Sequence, residues 1–214
     1  MKTKAIALLL ALAAAVAPAG AANISFTGQF AYDNEVKLFQ FTVDALTTVG
    51  IRTWSYAGGV NAAGQTIARG GFDPILQLFD AAGQLIGDQD DGGCAGASRV
   101  AADAVTRQCW DINYSVKLGP GTYTASLQQW NNYVVDEDLN QGFYYQDEQY
   151  RNFRNGFVDE MDNRRNGTWA LDLLNVSLPP PAQLPEPASP WLVGAALVGM
   201  GALRRRARGA ATAA

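Results

Sequence analysis

Five aspartates, Asp73, Asp80, Asp88, Asp90 and Asp91, gather around one strand-like stretch of the chain. Carboxylates at this spacing suit a hard divalent cation, because calcium takes about six to eight oxygen ligands. The five are therefore the candidate calcium ligands, with backbone carbonyls of Gly92 and Gly93 available beside them. The loop does not follow the EF-hand pattern: Gly92 stands at the fifth ligand position, and Arg99 occupies the place of the bidentate glutamate. Aspartate and glycine also build turns by local hydrogen bonding and positive φ, so a turn role stands beside the calcium role.

Nucleophilic chemistry has little to work with. The sequence contains no histidine, which removes Ser-His-Asp and Cys-His systems, histidine-ligated zinc and the usual general base near neutrality. Neither a G-x-S-x-G elbow nor a P-loop occurs. A carboxylate pair of the glycosidase kind is conceivable, but 20 acidic residues supply such pairs anywhere. The expectation is a protein that is not an enzyme, with a secreted carboxylate-dependent hydrolase the remotest alternative.

Flat aromatic rings can stack on sugar faces while their polar tips hydrogen-bond. Trp54, Tyr56, Trp130, Tyr133, Tyr144 and Tyr145 are the candidate glycan contacts. Sandwich cores use the same residue types, and Trp110, Tyr123 and Trp169 are expected in the core. Cys94 and Cys109 are the two cysteines. They lack the C-x-x-C spacing of a redox or metal site, and in an oxidising compartment they are expected to pair.

The elements that must position these residues read as strands. Ile24 to Phe30 alternates, Asp33-Asn34 turns, and Val36 to Val43 carries Phe39, Phe41 and Val43 on one face, which predicts a hairpin. Thr48 to Tyr56 predicts another strand, with Arg52, Trp54 and Tyr56 on one side. Phe72 to Asp80, the turn Ala81-Ala82-Gly83 and the return Gln84 to Gly87 form a second hairpin. Trp110, Ile112, Tyr114, Val116 and Leu118 give the clearest period-two pattern, ended by Gly119-Pro120-Gly121, after which Thr122 to Trp130 runs back. Residues 131–166 are aromatic and charged without clean periodicity, an irregular excursion with a short helix expected near Asp147 to Phe153; Thr168 to Leu178 closes the sheet.

The order Asp73-x-x-Leu76-x-Leu78-x-Asp80-x-x-Gly83, then Asp90-Asp91, then Pro120-Gly121-Thr122-Tyr123 resembles the bacterial pre-peptidase C-terminal domain. That resemblance spans about Val36 to Trp130. It implies a non-catalytic, jelly-roll-like antiparallel β-sandwich, associated in that family with secretion or matrix binding and in some members with calcium. Residues 131–166 have no counterpart in the motif.

The chain ends carry addresses. Lys2 and Lys4, the apolar stretch Ala5 to Val16 and Ala19-Gly20-Ala21 predict a signal peptide over 1–22. At the other end, Pro185-Glu186-Pro187, the apolar run Trp191 to Leu203 and the cluster Arg204, Arg205, Arg206 and Arg208 resemble a PEP-CTERM sorting tail. The resemblance implies an exosortase-type transpeptidase as partner, transient anchoring in the inner membrane by a transmembrane sorting helix over 188–208, and delivery to the cell surface or extracellular polysaccharide. A plain C-terminal membrane anchor is the alternative. The partition is then 1–22 signal, 23–178 sandwich, 179–187 proline-rich linker, 188–208 sorting helix and arginine cluster, and 209–214 tail.

Six of the 16 basic residues lie in those ends, whereas all 20 acidic residues lie in 23–187, leaving 10 bases against 20 acids there. A net charge of −10 argues against nucleic acid as a partner. The reading at this level is an exported, non-catalytic structural or adhesive β-sandwich, with a carbohydrate-binding module as alternative.

Overall fold

The computed structural model describes residues 21–146 and 151–179, and they form two four-stranded antiparallel sheets face to face. The strands are β1 (Ala22–Gln29), β2 (Val36–Val43), β3 (Thr47–Thr53), β4 (Gly59–Val60), β5 (Thr66–Ile67), β6 (Pro74–Phe79), β7 (Leu85–Gln89), β8 (Asn113–Leu118), β9 (Gly121–Gln129), β10 (Phe157–Val158), β11 (Arg164–Arg165) and β12 (Thr168–Val176). One sheet runs β1-β12-β3-β8 and the other β2-β9-β6-β7. Two small ribbons, β4-β5 and β10-β11, lie outside them.

The inward halves of the alternating strands make one core. Phe39 and Phe41 of β2, Leu76 and Leu78 of β6 and Leu127 of β9 meet Val49 and Ile51 of β3 and Trp169, Leu171 and Leu173 of β12. Each such side chain contributes about 1.5–3 kcal/mol by leaving water. Gly28 is required where β1 crosses Trp169, because a Cβ there would collide with the indole.

The pairing differs from the expected hairpins at two places. β1 pairs with β12 and β2 with β9, so Asp33-Asn34 carries the chain from one sheet to the other instead of closing a hairpin. Likewise β8 pairs with β3 while β9 pairs with β2 and β6, which makes Gly119-Pro120 a second crossing. Alternation sets which face of a strand is buried, not which strand lies beside it. β6 and β7 do form the expected hairpin around Gly83, whose φ of 88° suits glycine.

The excursion is better anchored than its sequence suggests. Phe153 is fully buried and stacks on Phe72 at 5.6 Å and Phe157 at 4.5 Å, with Phe72 on Phe30 at 5.1 Å. Val134 donates its amide to Gln77 Oε1, so residues after β9 fold over the outer face of the second sheet. The described residues of the excursion include three short 3-10 turns, at Val135–Glu137, Leu139–Gln141 and Phe153–Asn155, and the ribbon β10-β11. Of the helix expected near Asp147 to Phe153, residues 147–150 lie outside the described residues.

Among the described residues no helix is long and apolar enough to cross a membrane. The expectation of a transmembrane sorting helix is corrected to this extent: the described residues supply none, and the transient inner-membrane anchoring, the exosortase-type and polysaccharide partners and the surface localisation built on that helix have no support in them. By sequence alone the apolar run is also short: Trp191 to Leu203 is 13 residues, which as a helix would rise about 20 Å, against a hydrocarbon core of about 30 Å. The sorting motif Pro185-Glu186-Pro187, the segment 188–208 and its arginines lie outside the described residues, as do residues 1–20 of the expected signal peptide.

Candidate functional site

Because β6 and β7 are antiparallel, Asp73, just before β6, comes beside Asp90 and Asp91, just after β7. One carboxylate oxygen from each of the three lies within 4.8 Å of the others, a grouping that can hold a metal ion. The same geometry removes the other two candidates. Asp80 sits at the far end of β6, about 20 Å along the strand. There its Oδ1 accepts from the Ala82 and Gln84 amides at 2.9 and 3.0 Å. Asp88 is exposed on β7 opposite Gln77. The calcium role thus narrows to three residues, and Asp80 serves the turn.

Among the described residues no basic side chain pairs with the cluster. Asp73 Oδ1 and Asp90 Oδ1 are buried and have no hydrogen-bond partner among the described residues. Burial, then the charges of Asp91 and Asp90, push the Asp73 carboxyl up to about 9. Burial, Asp90 and Glu160 push Asp91 up to about 6. Asp90 is also raised by burial, partly offset by the Tyr133 hydroxyl, which donates to its Oδ2 at 3.1 Å. Glu160, more than 60 positions along the chain from Asp91, thus joins the negative field; nothing in its local spacing marks it.

The backbone around the cluster is fixed. Trp130 donates its amide to the Asp73 carbonyl at 2.8 Å, and Gly92 donates to the Asp111 carbonyl at 2.9 Å. A Cβ at Gly92 would meet that carbonyl at 2.6 Å, so close approach requires the glycine. Cys94 and Cys109 are joined by a disulfide, which closes the following loop.

The candidate glycan contacts are dispersed. Tyr56 is fully buried against Trp110 and beneath Arg165 and has no surface to offer a sugar. Trp54 donates its indole N–H to Asp172 Oδ2 at 2.8 Å on the outer side of the first sheet. Tyr133 belongs to the acidic cluster. Trp130 and Tyr144 are exposed, and the Tyr145 hydroxyl accepts from Asn131. Of the rings expected in the core, Trp169 is there and Tyr123 packs against it, whereas Trp110 lies on Tyr56 instead.

No family model matches the chain, and no curated protein matches it. Among solved structures, the chain is similar to the pre-peptidase C-terminal domain of a collagenase from Bacillus anthracis. The identity is 12%, covering 72% of this chain and 88% of that one, with a TM-score of 0.33. A protein from Sulfurospirillum deleyianum matches at 8% identity, over 72% of this chain and 96% of its own, with a TM-score of 0.34. These likenesses are distant. The all-β sandwich stands on its own strand pairing.

Proposed function

We propose that this protein is a non-catalytic, structural β-sandwich whose stability is set by one calcium ion held at Asp73, Asp90 and Asp91. The observation that carries the reading is the pair of buried, unpartnered oxygens, Asp73 Oδ1 and Asp90 Oδ1, where three carboxylates converge. Buried polar atoms are almost always paired, and like charges so placed repel unless a cation joins them. Carboxylate oxygens favour calcium or magnesium over softer metals. An exposed Asp91 and a cluster open on one side suit calcium, which accepts irregular geometry and water as further ligands. The ion would tie the start of β6 to the chain leaving β7. The absence of histidine supports the non-catalytic part.

Thermal unfolding of the full chain tests this. Calcium at about a hundredfold excess over Kd should raise the midpoint by about 5–10 °C, while equal ionic strength of sodium chloride should not. Asp73→Asn together with Asp90→Asn should abolish the calcium response while the fold, read by circular dichroism, persists. An unchanged midpoint in calcium would overturn the reading.

A further inference from the structure

A second cleft, separated from the acidic cluster by Gly92 and Asp111, is built on arginine. It encloses about 320 Å³ between the end of β3, the start of β8 and the loop that the disulfide closes, and Arg52, Trp54, Arg99 and Asn113 line it. Arg52 and Asn113 are register partners, and Arg52 Nε donates to Asn113 Oδ1 at 3.0 Å. Asn113 Nδ2 in turn donates to the Arg99 carbonyl at 3.2 Å. One asparagine therefore sets the Arg52 guanidinium and the Arg99 backbone at the same rim.

Neither guanidinium has an acid partner among the described residues: the ion pairs there involve only Arg69 and Arg165. That is unexpected in a domain with twice as many acids as bases. The carboxylate nearest in register to Arg52 is Asp172 on β12. Its oxygens are already committed, Oδ1 to the Ser25 hydroxyl and Oδ2 to the Trp54 indole and the Ala62 amide. Asp111 also lines the cleft, but it accepts from Thr53, Ser55, Tyr56 and Ala57. Both carboxylates are thus committed to other donors, and Arg52 and Arg99, which line the cleft, form no ion pair among the described residues.

We propose that this cleft binds a small organic carboxylate. The planar guanidinium fork matches a carboxylate through two parallel hydrogen bonds, and charge-assisted bonds of this kind are the strong ones. The Arg52 Nη groups remain for the ligand, because only Nε is used by Asn113. The Trp54 indole supplies a flat apolar wall, its N–H already satisfied by Asp172, so the body of the ligand meets ring surface and not an unpaired donor. The volume falls at the small end of ligand pockets, which fits a single ring carrying the carboxylate. This site shares no residue with the calcium cluster, and its test does not depend on the metal.

The probe is benzoate, with benzyl alcohol as the uncharged counterpart, titrated into the full chain in the presence of a chelator and followed by NMR. Benzoate should shift the Trp54 indole and Arg52 Nε signals saturably, with a Kd of about 1 mM or tighter, and benzyl alcohol should bind at least about tenfold more weakly. Arg52→Gln and Arg99→Gln, both at exposed positions, should keep the spectrum of the folded chain and each lose about tenfold in affinity. Absence of saturation, equal binding of benzyl alcohol, or wild-type affinity in both variants would overturn the proposal.

Discussion

Arg165 lies with its guanidinium 3.5 Å above the ring of Tyr56, and its side chain has no solvent exposure. Its Nε donates to Asp159 Oδ2 at 2.6 Å, its Nη1 donates to the Tyr56 carbonyl at 3.0 Å, and Asp103 Oδ2 stands 3.5 Å from Nη1. Asp103 also takes two bonds from Arg69, at 2.7 and 2.9 Å. One buried arginine thus joins the excursion, the chain after β3 and the disulfide loop. Burial would raise the carboxyls of Asp103 and Asp159. The arginines and nearby backbone amides outweigh it and hold both below the ordinary range.

Removing that arginine leaves the buried Asp159 without its cation and takes from Asp103 one of its two, Arg69 remaining. Arg165→Met should therefore destabilise the fold by about 3–5 kcal/mol, although methionine fills much of the same volume. Urea unfolding followed by tryptophan fluorescence measures it; a loss below about 1 kcal/mol would show that the ion pairs do not hold the excursion in place.

Asp111 performs the corresponding task for the chain leaving β3. Its Oδ1 accepts from the Thr53 hydroxyl and the Ser55 and Tyr56 amides, and its Oδ2 from the Ala57 amide at 2.8 Å. Asp111→Ala strips partners from several buried donors at once, at about 1–3 kcal/mol each. The expected outcome is a loss of at least about 3 kcal/mol, with faster amide exchange at Ser55, Tyr56 and Ala57 as the specific readout.

These two anchors mark where the sequence stopped being legible. The β6–β7 hairpin, the disulfide and the buried faces of β2, β3 and β12 follow from alternation, turn residues and cysteine count, all of which are local signals. Strand partners do not: Ile24 pairs with Leu173 and Phe39 with Ala125, contacts that no local pattern encodes. Within the acidic site, the sequence placed Asp73, Asp90 and Asp91 among five candidates, and the antiparallel hairpin separated them from Asp80. Glu160 and Arg165 were invisible because they reach their partners from a segment without periodicity. Alternation puts Tyr56 on the side of Arg52 and Trp54 only if the strand continues; β3 ends at Thr53, and Tyr56 is fully buried.

The disulfide closes a loop whose ends are 15 residues apart in sequence. In the chain-entropy account such a link stabilises by about 3 kcal/mol. Cys94→Ser with Cys109→Ser should lose about that much in urea unfolding. Asp103 keeps its bonds to Arg69 and to the Val105 and Thr106 amides in the double variant, so the loop should still be folded. Proteolysis within residues 95–108 under native conditions as fast as in the unfolded chain would contradict that division of labour.

Stability without metal should peak in mildly acidic solution, because two sets of carboxyls pull in opposite directions. Asp73 and Asp91 have folded pKa values of about 9 and about 6, above the ordinary 3.8. The folded state therefore holds protons that the unfolded chain releases, and stability falls with pH wherever the native state binds more protons. Their contribution is complete below about pH 4 and is lost as the pH rises through about 6 and then about 9. Asp103 and Asp159 are lowered, so their contribution is present above about pH 4 and is lost as the pH falls through their folded values. Calcium needs the ionised forms of Asp73 and Asp91, so it should reverse the decline on the alkaline side and release protons as it binds at pH 7. Urea unfolding from pH 3 to 9 with chelator, then with calcium, and calorimetry in two buffers of different ionisation enthalpy measure both effects. A metal-free stability that rises steadily from pH 5 to 9, or calcium binding without proton release, would contradict the assignment of Asp73 as a buried, protonated carboxyl waiting on a cation.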